Sequence, residues 1–149
     1  MHKDWTFKNT VITRHNIEED WKGFIYVLIF TNIKTKEVKL YIGKKDFYST
    51  VKRPLARKEM STDKRKKTYK RVKTYNFEKY CGSSEVLIDF INNPEWMFDK
   101  KIIRICKTKG DLTYYEAKYL MMYDALKRSI FLNNNILGTF YRKNLTEID

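Results

Sequence analysis

The chain has 149 residues, of which 42% are hydrophobic and 15% aromatic, a composition typical of one folded domain rather than of a disordered segment. No stretch approaches the 18 consecutive apolar residues of a transmembrane helix, and the first residues lack the apolar core of a signal peptide. The two cysteines, Cys81 and Cys106, have no paired ligand spacing, and with His2 and His15 as the only histidines a four-ligand zinc site is not expected. We therefore expect an intracellular, cytoplasmic protein with no membrane partner.

The net charge of +13 predicts a polyanionic partner. Residues 52–73 contain 11 basic and two acidic side chains, so most of the charge lies in one short segment. Because Tyr69, Val72 and Tyr75 interrupt this run without forming a broad apolar face, nucleic acid suits it better than a membrane surface. The alternative is a solvated loop whose lysines only aid solubility.

The first part of the chain predicts a β-hairpin. Residues 1–22 show little periodicity, and we expect an extended or partly ordered lead-in there, followed by one domain over residues 23–149. The apolar run 24–30 predicts a buried strand, and residues 38–42 predict a second strand after a polar turn. Two strands separated by so few residues favour antiparallel pairing.

The remaining elements predict an α+β domain. Ser49 or Thr50 could cap a helix that begins near Arg53, with Pro54 in its first turn. Further elements are then predicted in chain order: a helix over 85–91, a strand over 98–106 and a helix over 112–127. The order strand-strand-helix-helix-strand-helix predicts a small three-stranded antiparallel sheet flanked by helices, with a basic insertion at about 52–80.

One acidic residue, Glu116, has two interpretations. The spacing from Thr113 to Glu116 matches a helix capping box, in which the carboxylate serves only the start of the helix. Alternatively, a lone carboxylate in a very basic protein could hold a divalent metal, since Mg²⁺ needs one or two carboxylates when phosphate and water supply its other ligands.

The two tyrosines of the predicted hairpin stand in a recognisable pattern. Strand packing alone explains either tyrosine. However, Phe24-Ile25-Tyr26 and Tyr41-Ile42-Gly43 together resemble the paired triplets of the GIY-YIG nuclease family.

Further markers of that family follow in order. They are an arginine after the second triplet (Arg53, with Arg57 as the competing candidate), a glutamate on the helix after the third strand (Glu116) and an asparagine near the end (Asn135). The resemblance covers about residues 23–138. The compact form with a long basic insertion looks most like phage-encoded, Seg-like homing endonucleases.

The resemblance implies a DNA endonuclease that hydrolyses phosphodiester bonds with Mg²⁺ or Mn²⁺. It implies that Glu116 holds the metal, that Tyr26 positions and deprotonates the attacking water, and that Tyr41 hydrogen-bonds in the same site. Arg53 would neutralise the charge that develops on the phosphate. Because an ordinary tyrosine is a poor base, we expect the Lys44–Lys45 pair to lower the pKa of Tyr26.

Other residues are implied to support the site or to bind DNA. Gly43, Lys45 and Asn135 would be supporting residues, and Asn135 would fix the glutamate helix against the hairpin. The basic side chains expected to contact DNA phosphates are Lys44, Arg57, Lys64, Arg65, Lys66, Lys67, Lys70, Arg71 and Lys73.

Two functions from other classes stay open at this point. One is a non-catalytic nucleic-acid-binding module on a degenerate GIY-YIG fold, and the other is a structural protein of a nucleoprotein particle. The recognition sequence, the choice between nicking and double-strand cleavage, and the oligomeric state are also open.

Overall fold

A computed structural model of the protein describes residues 3–59 and 69–149. Within these residues the fold is a mixed α+β domain with two helices and a five-stranded central sheet. The strands are β1 (Trp5–Phe7), β2 (Thr10–Ile12), β3 (Gly23–Asn32), β4 (Val38–Asp46), β5 (Tyr48–Pro54), β6 (Tyr69–Tyr75), β7 (Trp96–Cys106), β8 (Asn135–Ile136) and β9 (Phe140–Tyr141). The helices are α1 (Glu85–Asn92) and α2 (Lys109–Met122), and single 3₁₀ turns cover Arg57–Glu59 and Arg142–Asn144.

The centre of the sheet is the predicted hairpin. The strand order is β2-β1-β7-β3-β4, and β3 pairs antiparallel with both β4 and β7. The apolar run from Phe24 to Phe30 lies in β3 because a strand with neighbours on both sides and layers on both faces buries nearly every side chain. The predicted pairing of the first two strands and the predicted third strand are therefore confirmed.

The expected lead-in is instead a hairpin that extends the sheet. Strands β1 and β2 pair antiparallel, and β1 pairs parallel with β7, so the sheet is mixed and five-stranded rather than antiparallel and three-stranded. Trp5 is only 1% exposed, and its indole N–H donates to the carbonyl of Phe77 at 2.9 Å. Two strands of three residues each are too short to produce the alternation by which sequence reveals a strand.

The helix expected to begin near Arg53 is a strand. Residues 48–54 form β5, which pairs antiparallel with β6 in a separate two-stranded ribbon. Ser49 and Thr50 are compatible with a helix cap, but the cross-strand partners supplied by β6 decide the conformation, as is usual for strand formation. One helix, α1, therefore precedes β7 in the part of the chain that the structure describes, where we predicted two.

The two faces of the sheet carry different layers. One core cluster contains Phe24, Tyr26, Leu28 and Phe30, the alternate residues of β3, with α1 packed beside it. The other contains Ile25 of β3 and packs against the buried side chains of α2. Helix α1 agrees with its prediction to one residue, whereas α2 begins three residues earlier and ends five residues earlier than predicted. In the part of the chain that the structure describes, neither helix is long and apolar enough to cross a membrane.

Candidate active site

Tyr26 and Gly43 face each other across the hairpin, in direct register on β3 and β4. A Cβ atom added to Gly43 would lie within 2.5 Å of Cζ of the Tyr26 ring and would also overlap its hydroxyl. Only glycine leaves room for the phenol at this position. Tyr26, the last residue of the first triplet, thus requires glycine at position 43, the last residue of the second triplet.

Three tyrosines form a cluster over this point of the sheet. The ring centroid of Tyr26 is 6.4 Å from that of Tyr41 and 6.0 Å from that of Tyr80. Lys45 lies above the cluster, with Nζ 4.7 Å from the Tyr80 ring centroid. The structure therefore places Tyr26, Tyr41, Gly43 and Lys45 in one region of the sheet. Tyr80 was missed, because it belongs to neither triplet and its segment has no periodicity that marks it.

The segment that carries Tyr80 is held by buried donors from the sheet. Trp5 donates to the carbonyl of Phe77, and the ammonium of Lys100 donates to the carbonyl of Glu78 at 2.9 Å. Lys100 is 2% exposed, and burial lowers the pKa of its ammonium. The N-terminal hairpin and β7 thereby fix the backbone two and three residues before Tyr80.

Glu116 is not part of a helix cap. Helix α2 is capped by Thr108, whose hydroxyl accepts from the backbone N–H of Asp111 at 3.0 Å. Thr113 lies inside the helix, where its hydroxyl donates to the carbonyl of Lys109 and accepts from Nζ of Lys44. The capping-box interpretation is therefore wrong, and the Glu116 carboxylate is available for another role.

The Glu116 carboxylate accepts a hydrogen bond from the backbone N–H of Lys44 on β4. Burial raises the pKa of this carboxyl, and the charge and backbone N–H of Lys44 offset the effect only in part. The carboxylate in turn contributes to the raised pKa values of both Tyr26 and Tyr41. A carboxylate on α2 and two phenols from the opposite core layer thus share one electrostatic environment.

The phenols of Tyr26 and Tyr41 are neutral at ordinary pH. Burial, reinforced by the neighbouring tyrosines and by Glu116, raises the pKa of Tyr26 well above its usual value. Burial and Glu116 raise the pKa of Tyr41 to about 12. We expected Lys44 and Lys45 to lower the pKa of Tyr26, but this pKa is raised. Burial of the phenol has the largest effect, and the two ammonium groups lie against Thr113 and the Tyr80 ring instead.

An asparagine binds the hairpin edge, but it is Asn133 rather than Asn135. The Asn133 side chain accepts from the N–H of Ile42 at 3.0 Å and donates to its carbonyl at 2.7 Å, and it is 4% exposed. Arg142 holds the same loop by donating to the carbonyl of Asn133 and to three other carbonyls. Asn135 is exposed in β8 and accepts from the N–H of Gly138.

The predicted arginine lies away from the cluster. Arg53 is exposed on β5 and faces Lys70 across the ribbon. It is five positions beyond Tyr48, which is about 17 Å at ~3.4 Å per strand residue. Arg57 lies farther along, in the 3₁₀ turn.

The other residues expected to bind DNA divide into three groups. Lys70, Arg71 and Lys73 lie on β6 of the ribbon, and all three are exposed. Lys44 is next to Glu116. The remaining four, Lys64, Arg65, Lys66 and Lys67, lie outside the described residues.

The cluster suits one divalent metal supported by substrate rather than a metal held by protein alone. No group of three or more His, Cys, Asp or Glu side chains occurs within residues 3–59 and 69–149. Glu116 is a half-buried carboxylate whose burial is only partly compensated, so a cation beside it would favour its ionised form. A single carboxylate is sufficient for Mg²⁺ when phosphate and water complete the coordination.

Comparison with known proteins identifies one family. Residues 5–136 match the family model described as "Putative endonuclease segE, GIY-YIG domain". The match begins at the buried Trp5 and includes both triplets, the ribbon and Glu116. Neither curated proteins nor solved structures gave a match.

Proposed function

Because the chain belongs to the Seg-like GIY-YIG nuclease family, we propose that it is a divalent-metal-dependent DNA endonuclease of the phage-encoded homing type. The observation that carries this proposal is that Glu116, which accepts from the backbone N–H of Lys44 on β4, interacts electrostatically with Tyr26 and Tyr41 of the tyrosine cluster. These groups come from α2, β3, β4 and the segment before α1. Packing alone would not require a carboxylate there, since its burial raises its pKa.

Glu116 would hold the metal, with Mg²⁺ or Mn²⁺ as the candidates. When bound, the ion supplies positive charge that polarises the scissile phosphate and stabilises the leaving 3′ oxygen. The carboxylate must be ionised to bind it, and Lys44 favours ionisation through its charge and its backbone N–H. Lys44 would also face the DNA phosphate.

Tyr26 would position the attacking water as a neutral phenol. Its raised pKa makes it unsuited to remove a proton, so its oxygen accepts a hydrogen bond from the water and the proton leaves to solvent. Attack forms one P–O bond and breaks the bond to the 3′ oxygen. Tyr41 and Tyr80 would fix the Tyr26 hydroxyl, and Gly43 provides the space for it.

Positive side chains would neutralise the charge that develops on the phosphate. Lys45, whose ammonium lies over the Tyr80 ring, would be one of these cations. Arg53, which the family resemblance pointed to, reaches this phosphate only if the DNA brings the ribbon and the cluster into contact with the same strand. Asn133 and, through its loop, Arg142 would maintain the edge of β4 beside Glu116.

The test is cleavage of supercoiled plasmid in Mg²⁺ or Mn²⁺. Wild type should nick or linearise the plasmid with turnover, and Glu116→Gln should reduce the rate by about 100-fold or more. Glu85→Gln, which changes an exposed carboxylate at the start of α1, is the matched control. An intact plasmid with every divalent metal would instead support the non-catalytic binding module, and equal cutting by Glu116→Gln would refute the site.

A further inference from the structure

The β5–β6 ribbon is an arm outside the central sheet. Seven register pairs run from Tyr48 opposite Tyr75 at its base to Pro54 opposite Tyr69. At the base the two tyrosine rings meet with centroids 6.0 Å apart, and both pack against the core cluster that contains Tyr26. Because an isolated two-stranded ribbon is marginally stable in water, this anchored base is what supports the arm.

Strand alternation gives the ribbon two different faces. The tyrosine face, as we call it, continues from the Tyr48–Tyr75 base through Thr50, Lys52, Tyr69, Arg71 and Lys73. The valine face is the opposite one and carries Ser49, Val51, Arg53, Lys70, Val72 and Thr74. The tyrosine face therefore has three cations and is continuous with the side of the core on which the active-site tyrosines pack.

The charges on the ribbon repel one another. Lys52 stands directly opposite Arg71, and the next pair places Arg53 opposite Lys70. The two strands together contain five basic residues and no acidic residue. Like charges directly opposite each other destabilise a strand pair. Binding to a polyanion would remove this repulsion, so the ribbon is suited to a partner rather than to the free protein.

Aromatic rings hold two of these cations in place. Nζ of Lys52 lies 4.5 Å from the ring centroid of Tyr69, and Nζ of Lys73 lies 4.4 Å from that of Tyr48. Both contacts join diagonal neighbours on the tyrosine face. A lysine held over a ring has less side-chain entropy to lose on binding, so this face is preorganised.

We propose that the ribbon enters the major groove of B-form DNA with its tyrosine face toward the DNA. This inference rests on the proposed nuclease function. The major groove of B-DNA is about 12 Å wide and admits a two-stranded ribbon, and seven residues at ~3.4 Å each span much of one helical turn. An RNA duplex is excluded by the same geometry, because its major groove is deep and narrow. Tyr75 at the ribbon base and Tyr80 of the site are five residues apart in the chain, and both pack against the same core cluster.

The test compares two triple variants in EDTA, where binding is measured without cleavage. The first is Lys52→Ser, Arg71→Ser, Lys73→Ser. The matched control, Lys34→Ser, Lys101→Ser, Lys143→Ser, removes the same charge from exposed positions outside the ribbon. For a 20-base-pair DNA duplex, we expect the ribbon variant to lose at least about tenfold in affinity and about 2.7 in the slope of log affinity against log salt. The control should keep the wild-type slope.

Groove and substrate class are tested with the wild-type protein. Methyl green, which occupies the major groove, should compete with binding, whereas the minor-groove ligand netropsin should not. Affinity should be higher for the DNA duplex than for single-stranded DNA or an RNA duplex of the same sequence, and the ribbon variant should lose this preference. Competition by netropsin alone, a preference for RNA, or equal slopes for the two triple variants would each overturn the proposal.

Two controls separate the possible failures. Thermal unfolding shows whether the ribbon variant is folded, since its substitutions remove both like-charge repulsion and two cation–π contacts. A folded ribbon variant that binds DNA like wild type would contradict the role of the ribbon. Plasmid cleavage in Mg²⁺ is scored independently. Cleavage that survives unchanged in the ribbon variant refutes the groove contact, and groove binding without cleavage refutes only the nuclease function.

Discussion

Gly43 lies directly opposite Tyr26 in the register of β3 and β4, and the Tyr26 phenol fills the space that a side chain at position 43 would need. Gly43→Ala should therefore displace the hydroxyl and reduce the cleavage rate by about 100-fold, while overpacking costs about 1–3 kcal/mol of stability. Plasmid cleavage and thermal unfolding measure the two effects. Gly110→Ala is the control, because its Cβ would meet only Thr108 Oγ1, at 3.9 Å. Wild-type activity in Gly43→Ala would contradict the role of Tyr26.

The Glu116 carboxylate is expected to lower the stability of the folded protein even though the active site needs it. Its carboxyl pKa is raised in the folded protein, so its contribution to stability is present below the unfolded pKa and is lost as the pH rises through the folded one. Glu116→Gln should accordingly raise the melting temperature at pH values above the folded Glu116 pKa, where the wild-type carboxylate is ionised and partly buried. The Glu85→Gln control should leave it unchanged.

The same carboxylate predicts a metal-dependent stability. Adding Mn²⁺ should raise the melting temperature of wild type, because a ligand that binds only the folded state stabilises it. The shift should disappear in Glu116→Gln and, in wild type, as the pH falls through the Glu116 pKa, which lies above the ordinary glutamate value. A shift of equal size in Glu116→Gln would place the metal elsewhere.

The neutral phenols predict the shape of the pH–rate profile. Cleavage should rise as Glu116 ionises and should then show no further rise near pH 10, because the pKa values of Tyr26 and Tyr41 lie above 10, that of Tyr41 at about 12. Stability should fall between about pH 10 and 12, since groups with raised pKa values must release protons on unfolding. Tyr41→Phe should reduce that alkaline loss. A rate that increases with a tyrosine pKa below 10 would show that Tyr26 acts as a base.

Asn133 and Asn135 predict opposite results for two similar changes. Asn133→Ala leaves the N–H and carbonyl of Ile42 without their buried partners and should cost about 1–3 kcal/mol of the free energy of unfolding. Asn135→Ala removes one exposed turn bond to Gly138 and should cost less than about 1 kcal/mol. Urea denaturation of both variants checks the difference, and a larger loss in Asn135→Ala would contradict the assignment of the edge contact to Asn133.

Much of this protein could be predicted from local patterns. The hairpin from Gly23 to Asp46 follows from an apolar run, a short polar turn and a second strand, all of which are contiguous in sequence. Helix α1 follows from its apolar spacing. The two triplets and Glu116 could be selected because a family resemblance links residues that are distant in the chain.

Tertiary contacts decided the rest. Trp5 is buried only because β1 pairs with β7, which lies nearly a hundred residues later in the chain. Residues 48–54 form a strand only because β6 pairs with them. Tyr80 enters the site because Trp5 and Lys100 hold its segment. The amino-acid sequence by itself determined the charge, the hairpin and the order of the family residues. Burial and partners distant in sequence decided the rest, and local propensity does not encode them. They determine which tyrosines lie together, which asparagine binds the edge of β4, and whether Glu116 caps a helix or faces the site.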